Sequence, residues 1–107
     1  MRLTLVAAAA AAAAALAFAA PAAQASFTNP VTAKLQTAMA TPDNDVVAAG
    51  VVWACSGDTC ITRMERRTPV ARDCGLLARE VGRIASFSVG TQALDERGLA
   101  TCNARAR

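Results

Sequence analysis

The four cysteines of this sequence are the residues best able to do chemistry: Cys55, Cys60, Cys74 and Cys102. Structural zinc sites usually hold their ligands in two short pairs, but twenty-seven residues separate Cys74 from Cys102. Four residues separate Cys55 from Cys60, which is wider than the spacing in thioredoxin-type redox centres. We therefore expect structural disulfides and no metal, with a labile Cys55–Cys60 bond as the redox alternative.

The usual catalytic side chains are missing, because the chain contains no histidine and no tyrosine. Histidine is the commonest general base and the commonest metal ligand. Asp95 and Glu96 could do acid–base chemistry together, but negative charge at a helix N-terminus explains the pair better. Ser56 and Asp58 lie in a turn-forming segment with no base nearby, and there is no glycine-rich phosphate loop. The sequence thus predicts a non-enzymatic protein without a cofactor.

Arginine is concentrated between residues 63 and 83. Such a segment is either a solvated face or a patch for an anionic surface, such as lipid headgroups or cell-envelope polymers, and solvation is the simpler explanation. Nucleic acid is a poor candidate partner, because just three aromatic residues follow residue 25. The six arginines are Arg63, Arg66, Arg67, Arg72, Arg79 and Arg83.

The first twenty-five residues have the three parts of a secretory signal peptide. A positive start at Arg2 precedes an apolar run over residues 3–20, which only Thr4 interrupts. Ala23-Gln24-Ala25 then supplies the small-residue pattern of a signal peptidase site. We expect cleavage after Ala25 and a periplasmic or secreted product with no stable membrane anchor.

Retention of this segment as a transmembrane anchor is the alternative. Its eighteen apolar-run residues lie at the lower limit for crossing a hydrocarbon core of about 30 Å. Most of them are alanine, which gains little from lipid, and the cut site follows closely. A lipoprotein would need a cysteine at the cut, whereas the first cysteine is Cys55.

Cleavage would leave residues 26–107 as one small domain of 82 residues. Its ten basic and eight acidic side chains give a net charge of +2, too small to imply a polyanionic partner. A domain of this size buries only about 60% of the surface of its unfolded chain, so its core is marginal. Disulfides are the usual remedy in an oxidising compartment.

Alternating and valine-rich segments predict strands in the first half of this domain. Residues 31–39 alternate between apolar and polar, which favours a strand over a helix, and turn-forming residues 41–45 end it. Residues 46–55 and 60–64 then predict a β-hairpin around the polar loop Ser56–Thr59. In that hairpin Cys55 and Cys60 face each other closely enough for a disulfide.

Helical periodicity follows the hairpin. Thr68 before Pro69 predicts an N-cap and a first helical residue, and Gly82 predicts the end. The apolar face of this helix consists of Val70, Cys74, Leu77 and Val81.

A strand over residues 84–89, a turn and a second helix complete the predicted elements. Asp95 is the predicted N-cap, Leu94 and Leu99 form a hydrophobic staple, and Gly98 weakens the helix. The helix runs through Cys102, so a Cys74–Cys102 disulfide would clamp the two helices together. The expected fold is α+β: a small antiparallel sheet of about four strands with two short helices on one face.

From Trp53 onward the chain resembles a family of small, uncharacterised secreted proteins of alphaproteobacteria. The resemblance implies a bacterial periplasmic setting and a four-cysteine framework. The family has no assigned activity, so no catalytic residue is carried over. The matching features are Trp53-x-Cys55, Gly57, Cys60, Cys74, Leu77, Arg79-Glu80-Val81-Gly82, Phe87, Leu94 and Cys102-Asn103.

The sequence favours an exported protein that acts by binding or within the envelope, mainly because catalytic residues are missing. One alternative is a small inhibitor of a secreted hydrolase that presents the rigid loop Ser56–Thr59. Another is a redox or accessory protein that uses the hairpin disulfide. The identity of the partner is not encoded in any motif.

Overall fold

The computed structural model describes residues 27–40 and 43–107. The predicted signal peptide with its cleavage site, and Thr41 and Pro42 of the predicted turn, lie outside the described residues. Within them, neither helix is long and apolar enough to cross a membrane.

Six strands in the described residues form one antiparallel sheet, and two helices pack against it. The elements are β1 (Asn29–Leu35), β2 (Asp43–Ala48), β3 (Val51–Ser56), β4 (Thr59–Met64), α1 (Ala71–Val81), β5 (Ile84–Val89), β6 (Gln92–Ala93) and α2 (Glu96–Asn103). The strand order is β2-β3-β4-β1-β5-β6. The α+β class and the antiparallel sheet are confirmed, whereas the expectation of about four strands is wrong.

One face of the sheet carries the core, and the helices lie over it. Trp53 and Phe87 are buried in contact with each other, with ring centroids 6.0 Å apart. They belong to the same buried cluster as Cys74 and Leu77 of α1. The Trp53 indole N–H is satisfied inside this core, because it donates to the Ala48 carbonyl at 3.1 Å.

The segment predicted as one strand over residues 46–55 is in fact the β2–β3 hairpin. Ala49 and Gly50 form its turn, with φ of 55° and 79°. Two consecutive positive φ values fit a type I′ turn, the usual two-residue connection between antiparallel strands. Ala49 is unusual there, because its Cβ disfavours this region. An Ala-Gly pair between valines is a weak turn signal, which is why the pattern indicated an unbroken strand.

β1 is shorter than predicted, since it ends at Leu35 instead of continuing to residue 39. Beyond it the backbone bonds irregularly to two neighbours: Gln36 N–H donates to Arg83 O at 3.0 Å, and Met39 N–H donates to Gly57 O at 2.9 Å. The predicted turn over residues 41–45 is wrong from Asp43 onward, where β2 begins.

The β3–β4 hairpin is confirmed, with a tighter turn than expected. Ser56 pairs with Thr59, so only residues 57 and 58 form the connection. Cys55 and Cys60 are cross-strand partners with Cα atoms 4.0 Å apart, and a disulfide joins them.

α1 begins at Ala71, two residues later than the predicted first helical residue Pro69. Val70 occupies the N-cap with an extended backbone and makes no side-chain cap, so the roles assigned to Thr68 and Pro69 are wrong. The end at Gly82 is confirmed, because this residue has φ of 98° and donates its N–H to Ala78 O at 2.9 Å.

α2 begins as predicted, at an Asp95 cap whose Oδ1 accepts from Gly98 N–H at 2.8 Å. The preceding turn contains an unpredicted two-residue strand, β6, which pairs with β5. Leu94 and Leu99 both pack against the core. Gly98 has a positive role here: a Cβ at this position would lie 2.9 Å from Leu94 Cδ2, so its absence makes room for Leu94.

The two helices are joined to each other and to the sheet. The Cys74–Cys102 disulfide links them, and Gly75 makes room for the Arg105 side chain that follows α2, since a Cβ there would lie 2.7 Å from Arg105 Cδ. The buried Asn103 side chain pairs with the backbone of Ile84 as a neighbouring strand would. Its Oδ1 accepts from Ile84 N–H at 2.8 Å, and its Nδ2 donates to Ile84 O at 2.9 Å.

The inter-helix disulfide should contribute more to stability than the hairpin disulfide. The loops they close have sequence separations of 28 and 5, for which chain entropy gives about 3.5 and about 2 kcal/mol. Replacing Cys74 and Cys102 by alanine should therefore lower the free energy of unfolding in urea more than replacing Cys55 and Cys60. Equal losses, or the opposite order, would contradict the loop-entropy account.

Candidate functional site

The face of the sheet opposite the helices carries exposed aliphatic side chains. Val47, Val52 and Ile61 are 69%, 57% and 52% exposed. Val47 is the cross-strand partner of Val52, and Ala54 is the partner of Ile61. Directly paired residues lie on the same side of a sheet. We call these four residues, Val47, Val52, Ala54 and Ile61, the aliphatic face.

A groove of about 450 Å³ runs along this face. It forms because the β3–β4 ladder is paired only between Ala54–Ser56 and Thr59–Ile61. Farther from the turn the two strands separate, and the Thr62 hydroxyl donates to the Val52 carbonyl at 2.8 Å in place of a backbone bond. The groove is lined by Pro30, Val31, Thr32, Asp45, Val52, Ala54, Ile61, Thr62 and Arg63.

One margin of the aliphatic face is acidic. Asp43 and Asp45 lie on β2 and line a smaller adjoining pocket of about 240 Å³. Both are exposed, and neither takes part in an ion pair within the described residues, where the one such pair is Arg66–Asp73. The Nζ of Lys34 donates to Thr59 Oγ1 at 3.0 Å, and Thr59 lines the same pocket. The surface therefore combines an apolar stripe with two carboxylates that form no ion pair within the described residues.

Three of the six predicted arginines make contacts within the chain. Arg63 donates to the Thr28 hydroxyl and carbonyl, both at 2.9 Å, and Arg67 lies 4.5 Å from the centre of the Phe27 ring. Arg66 pairs with the buried Asp73, with Nε 2.8 Å from Oδ2. The remaining three, Arg72, Arg79 and Arg83, are exposed.

The Arg66–Asp73 pair joins the segment that follows β4 to the first turn of α1. The hydrogen bond and the charge of Asp73 raise the pKa of Arg66. A cleft of about 520 Å³ beside the pair is lined by the Ala49–Gly50 turn, by Val70 and Leu76, and by Arg72. Because Asp73 offsets Arg66, this cleft holds one uncompensated positive charge.

The other predicted chemical residues have structural settings. Thr59 Oγ1 lies 3.0 Å from Asp58 Oδ1, and Ser56 is part of the β3–β4 pairing. Asp95 caps α2. The Cys55–Cys60 and Cys74–Cys102 disulfides are buried. Within residues 27–40 and 43–107, no three Asp, Glu or Cys side chains gather as a metal site.

The aliphatic face was missed by sequence reasoning because it depends on the β2–β3 turn. Within one continuous strand, Val47 and Val52 fall on opposite faces, since their residue numbers differ by five and side chains alternate. Once Ala49-Gly50 is a two-residue turn, the same two valines become direct partners. Glycine adopts positive φ readily, so Gly50 was the residue in the sequence that could have indicated a turn here.

A family model described as a family of unknown function (DUF8200) matches residues 3–104. Because the match covers nearly the whole chain, the protein belongs to this family. No match was found among curated proteins or among solved structures. Family membership brings no activity with it, and the bacterial and secreted setting implied by the resemblance stays a prediction.

Removing the Arg66 side chain should destabilise the fold, whereas removing its neighbour in the cleft should not. Arg66→Ala leaves the Asp73 carboxylate, 6% exposed, without its cation. Arg66 is itself 41% exposed, so solvent moderates the expected loss to about 1 kcal/mol. Arg72→Ala is the matched control and should change the free energy of unfolding by less than about 0.5 kcal/mol. Equal effects in urea unfolding would show that the ion pair contributes nothing.

Proposed function

We propose that this member of a family of unknown function is an exported, non-enzymatic domain that binds another envelope or secreted protein through its aliphatic face. Two sets of observations support export. The first 25 residues have the composition and order of a signal peptide. All four cysteines are paired in disulfides, as is usual in oxidising compartments and rare in the cytosol.

The observation that carries the binding proposal is the aliphatic face itself. Its three large side chains are each more than half exposed, although threonine would suit an exposed strand equally well. Val52 and Ile61 border a groove of about 450 Å³. Contiguous exposed apolar surface beside polar residues is typical of protein interaction sites.

The alternatives have weaker support. In the inhibitor alternative, Ser56–Thr59 would enter a hydrolase, but Gly57 O and Asp58 O already accept bonds from Met39 and Leu35. A redox role would require access to the Cys55–Cys60 sulfurs, and these residues are 2% and 0% exposed. Binding to an anionic surface would rest on three of the six arginines, since the other three contact the chain.

Export with cleavage can be tested by producing the full chain in a bacterial host and fractionating the cells. The mature protein should appear in the periplasmic fraction with Ser26 as its first residue and with no free thiols. A chain without residues 1–25 is the control and should remain in the cytoplasm. N-terminal sequencing that finds Met1 on a membrane-bound product would contradict cleavage.

Binding through the aliphatic face can be tested with Val52→Thr combined with Ile61→Thr. Threonine keeps the β-branched shape, so thermal stability should hardly change. When both proteins are immobilised, the double variant should capture about one tenth or less of the amount of envelope protein that the parent captures. The reason is that the two substitutions remove apolar contact area from the aliphatic face. Ala100→Thr on the exposed surface of α2 is the control. Unchanged capture by the double variant would overturn the proposed surface.

A further inference from the structure

We propose that the open edge of β2 receives an extended, cationic segment of the partner, which adds a seventh strand antiparallel to β2. This inference rests on the proposed function and specifies the chemistry of its partner. In the described residues β2 pairs only with β3 and is the outer strand of the sheet. The opposite outer strand, β6, has just two residues, so β2 is the edge long enough to pair with another chain.

The register of the hairpin decides which backbone groups face the open edge. Ala48 and Val51 flank the two-residue turn, and residues that flank such a turn exchange both backbone hydrogen bonds. Bonding to β3 then alternates along β2, so Asn44 and Val46 also bond inward. The N–H and C=O groups of Asp43, Asp45 and Val47 therefore point away from β3, toward the open edge.

The same three residues direct their side chains to the uncovered face. Asp45 is the cross-strand partner of Ala54 and Val47 is the partner of Val52, both members of the aliphatic face. An incoming strand would place its own side chains directly opposite Asp43, Asp45 and Val47 on this surface. The edge thus supplies backbone bonding and side-chain recognition at the same residues.

Charge complementarity defines the partner's sequence pattern. Opposite charges that face each other across antiparallel strands are favourable, and so are paired apolar side chains. An antiparallel segment meets Val47 first, then Asp45 and then Asp43. The partner's pattern therefore spans five positions. The first is aliphatic, the third and fifth are lysine or arginine, and the second and fourth can be any residue. The aliphatic residue would extend the apolar stripe of Val47 and Val52.

A second copy of this chain fits the edge poorly. In the antiparallel register centred on β2, Asp45 of one copy would face Asp45 of the other. Shifting the centre toward the start of the strand sets Asp43 opposite Asp45. Like charges directly opposite each other are destabilising, so these two registers disfavour self-pairing, and a register shifted toward the turn sets Asp45 opposite the aliphatic Val47, where a partner lysine or arginine would be favoured.

The experiment adds the peptide Thr-Val-Thr-Lys-Thr-Lys-Thr, with both termini blocked, to the full disulfide-bonded protein. NMR measures binding, and amide hydrogen exchange measures which backbone N–H groups become protected. Added peptide should slow exchange of the Asp43, Asp45 and Val47 amides. Asn44, Val46 and Ala48 already bond to β3 and should change little. Asp43→Asn with Asp45→Asn should weaken binding by about fivefold, while Glu80→Gln on α1, the matched control, should have no effect.

Two further peptides separate edge pairing from simple charge attraction. N-methylation of the valine and both lysines keeps every charge but removes the N–H groups that would bond to β2, so binding should be lost. A peptide with glutamate in place of lysine should bind only the variant Asp43→Lys with Asp45→Lys. Equal binding of the methylated peptide, or slowed exchange elsewhere, would overturn the inference.

The remaining outcomes distinguish this inference from the proposed function. If the lysine peptide does not bind while the Val52→Thr, Ile61→Thr variant still loses its envelope partners, edge pairing is wrong and the aliphatic face stands. If sedimentation shows a dimer whose stability changes in the Asp43 and Asp45 variants, the strand that pairs with β2 belongs to a second copy. The inference of a cationic partner is then wrong.

Discussion

Within the described residues, the pair of helices is the one layer that covers the sheet, and the core depends on it. α1 and α2 have 11 and 8 residues, lengths at which isolated helices are marginal in water. They are fixed as a unit by the Cys74–Cys102 bond and joined to β5 by the two hydrogen bonds between Asn103 and Ile84. Without this attachment, Trp53 and Phe87 would lose their cover, because the part of the chain that the structure describes has no other apolar layer for their strands to pack against.

Within residues 27–40 and 43–107 the two helices cover only one face of the sheet, so the other face of this part of the chain is open to water. The β1–β5 half of that face is polar, with Thr32 opposite Ser88 and Lys34 opposite Ser86. Antiparallel sheets commonly have one such solvated face. The β2–β4 half instead carries the aliphatic face beside Asp43 and Asp45. Strand propensity alone does not require this, since Thr62 shows that the same sheet accommodates threonine. The difference between the two halves is therefore the feature that fold stability leaves unexplained and on which the binding proposal rests.

Features set by local physics could be predicted from the sequence. Asp95 as a cap, Gly82 as a helix end and the facing Cys55 and Cys60 each depend on neighbours within a few residues. The Thr68 cap was wrong, since α1 begins after Val70, and the Arg66–Asp73 pair that joins the preceding segment to the first turn of α1 is a contact that no capping pattern encodes. The candidate site was harder still, because its residues come from three strands whose register depends on a weak turn signal.

The Ala49-Gly50 turn links the edge of the sheet to its uncovered face. Along any strand, residues of one parity direct both their backbone groups to one neighbour and their side chains to one face. With Ala48 opposite Val51, the parity that faces the open edge is that of Asp43, Asp45 and Val47, and their side chains lie on the aliphatic side. A turn shifted by one residue would instead present Asn44, Val46 and Ala48 at the edge and on the uncovered face, and it would direct Asp43, Asp45 and Val47 toward β3 and the core side. The open edge would then be separated from the acidic and aliphatic residues, so the position of this turn places the edge and these side chains on one surface.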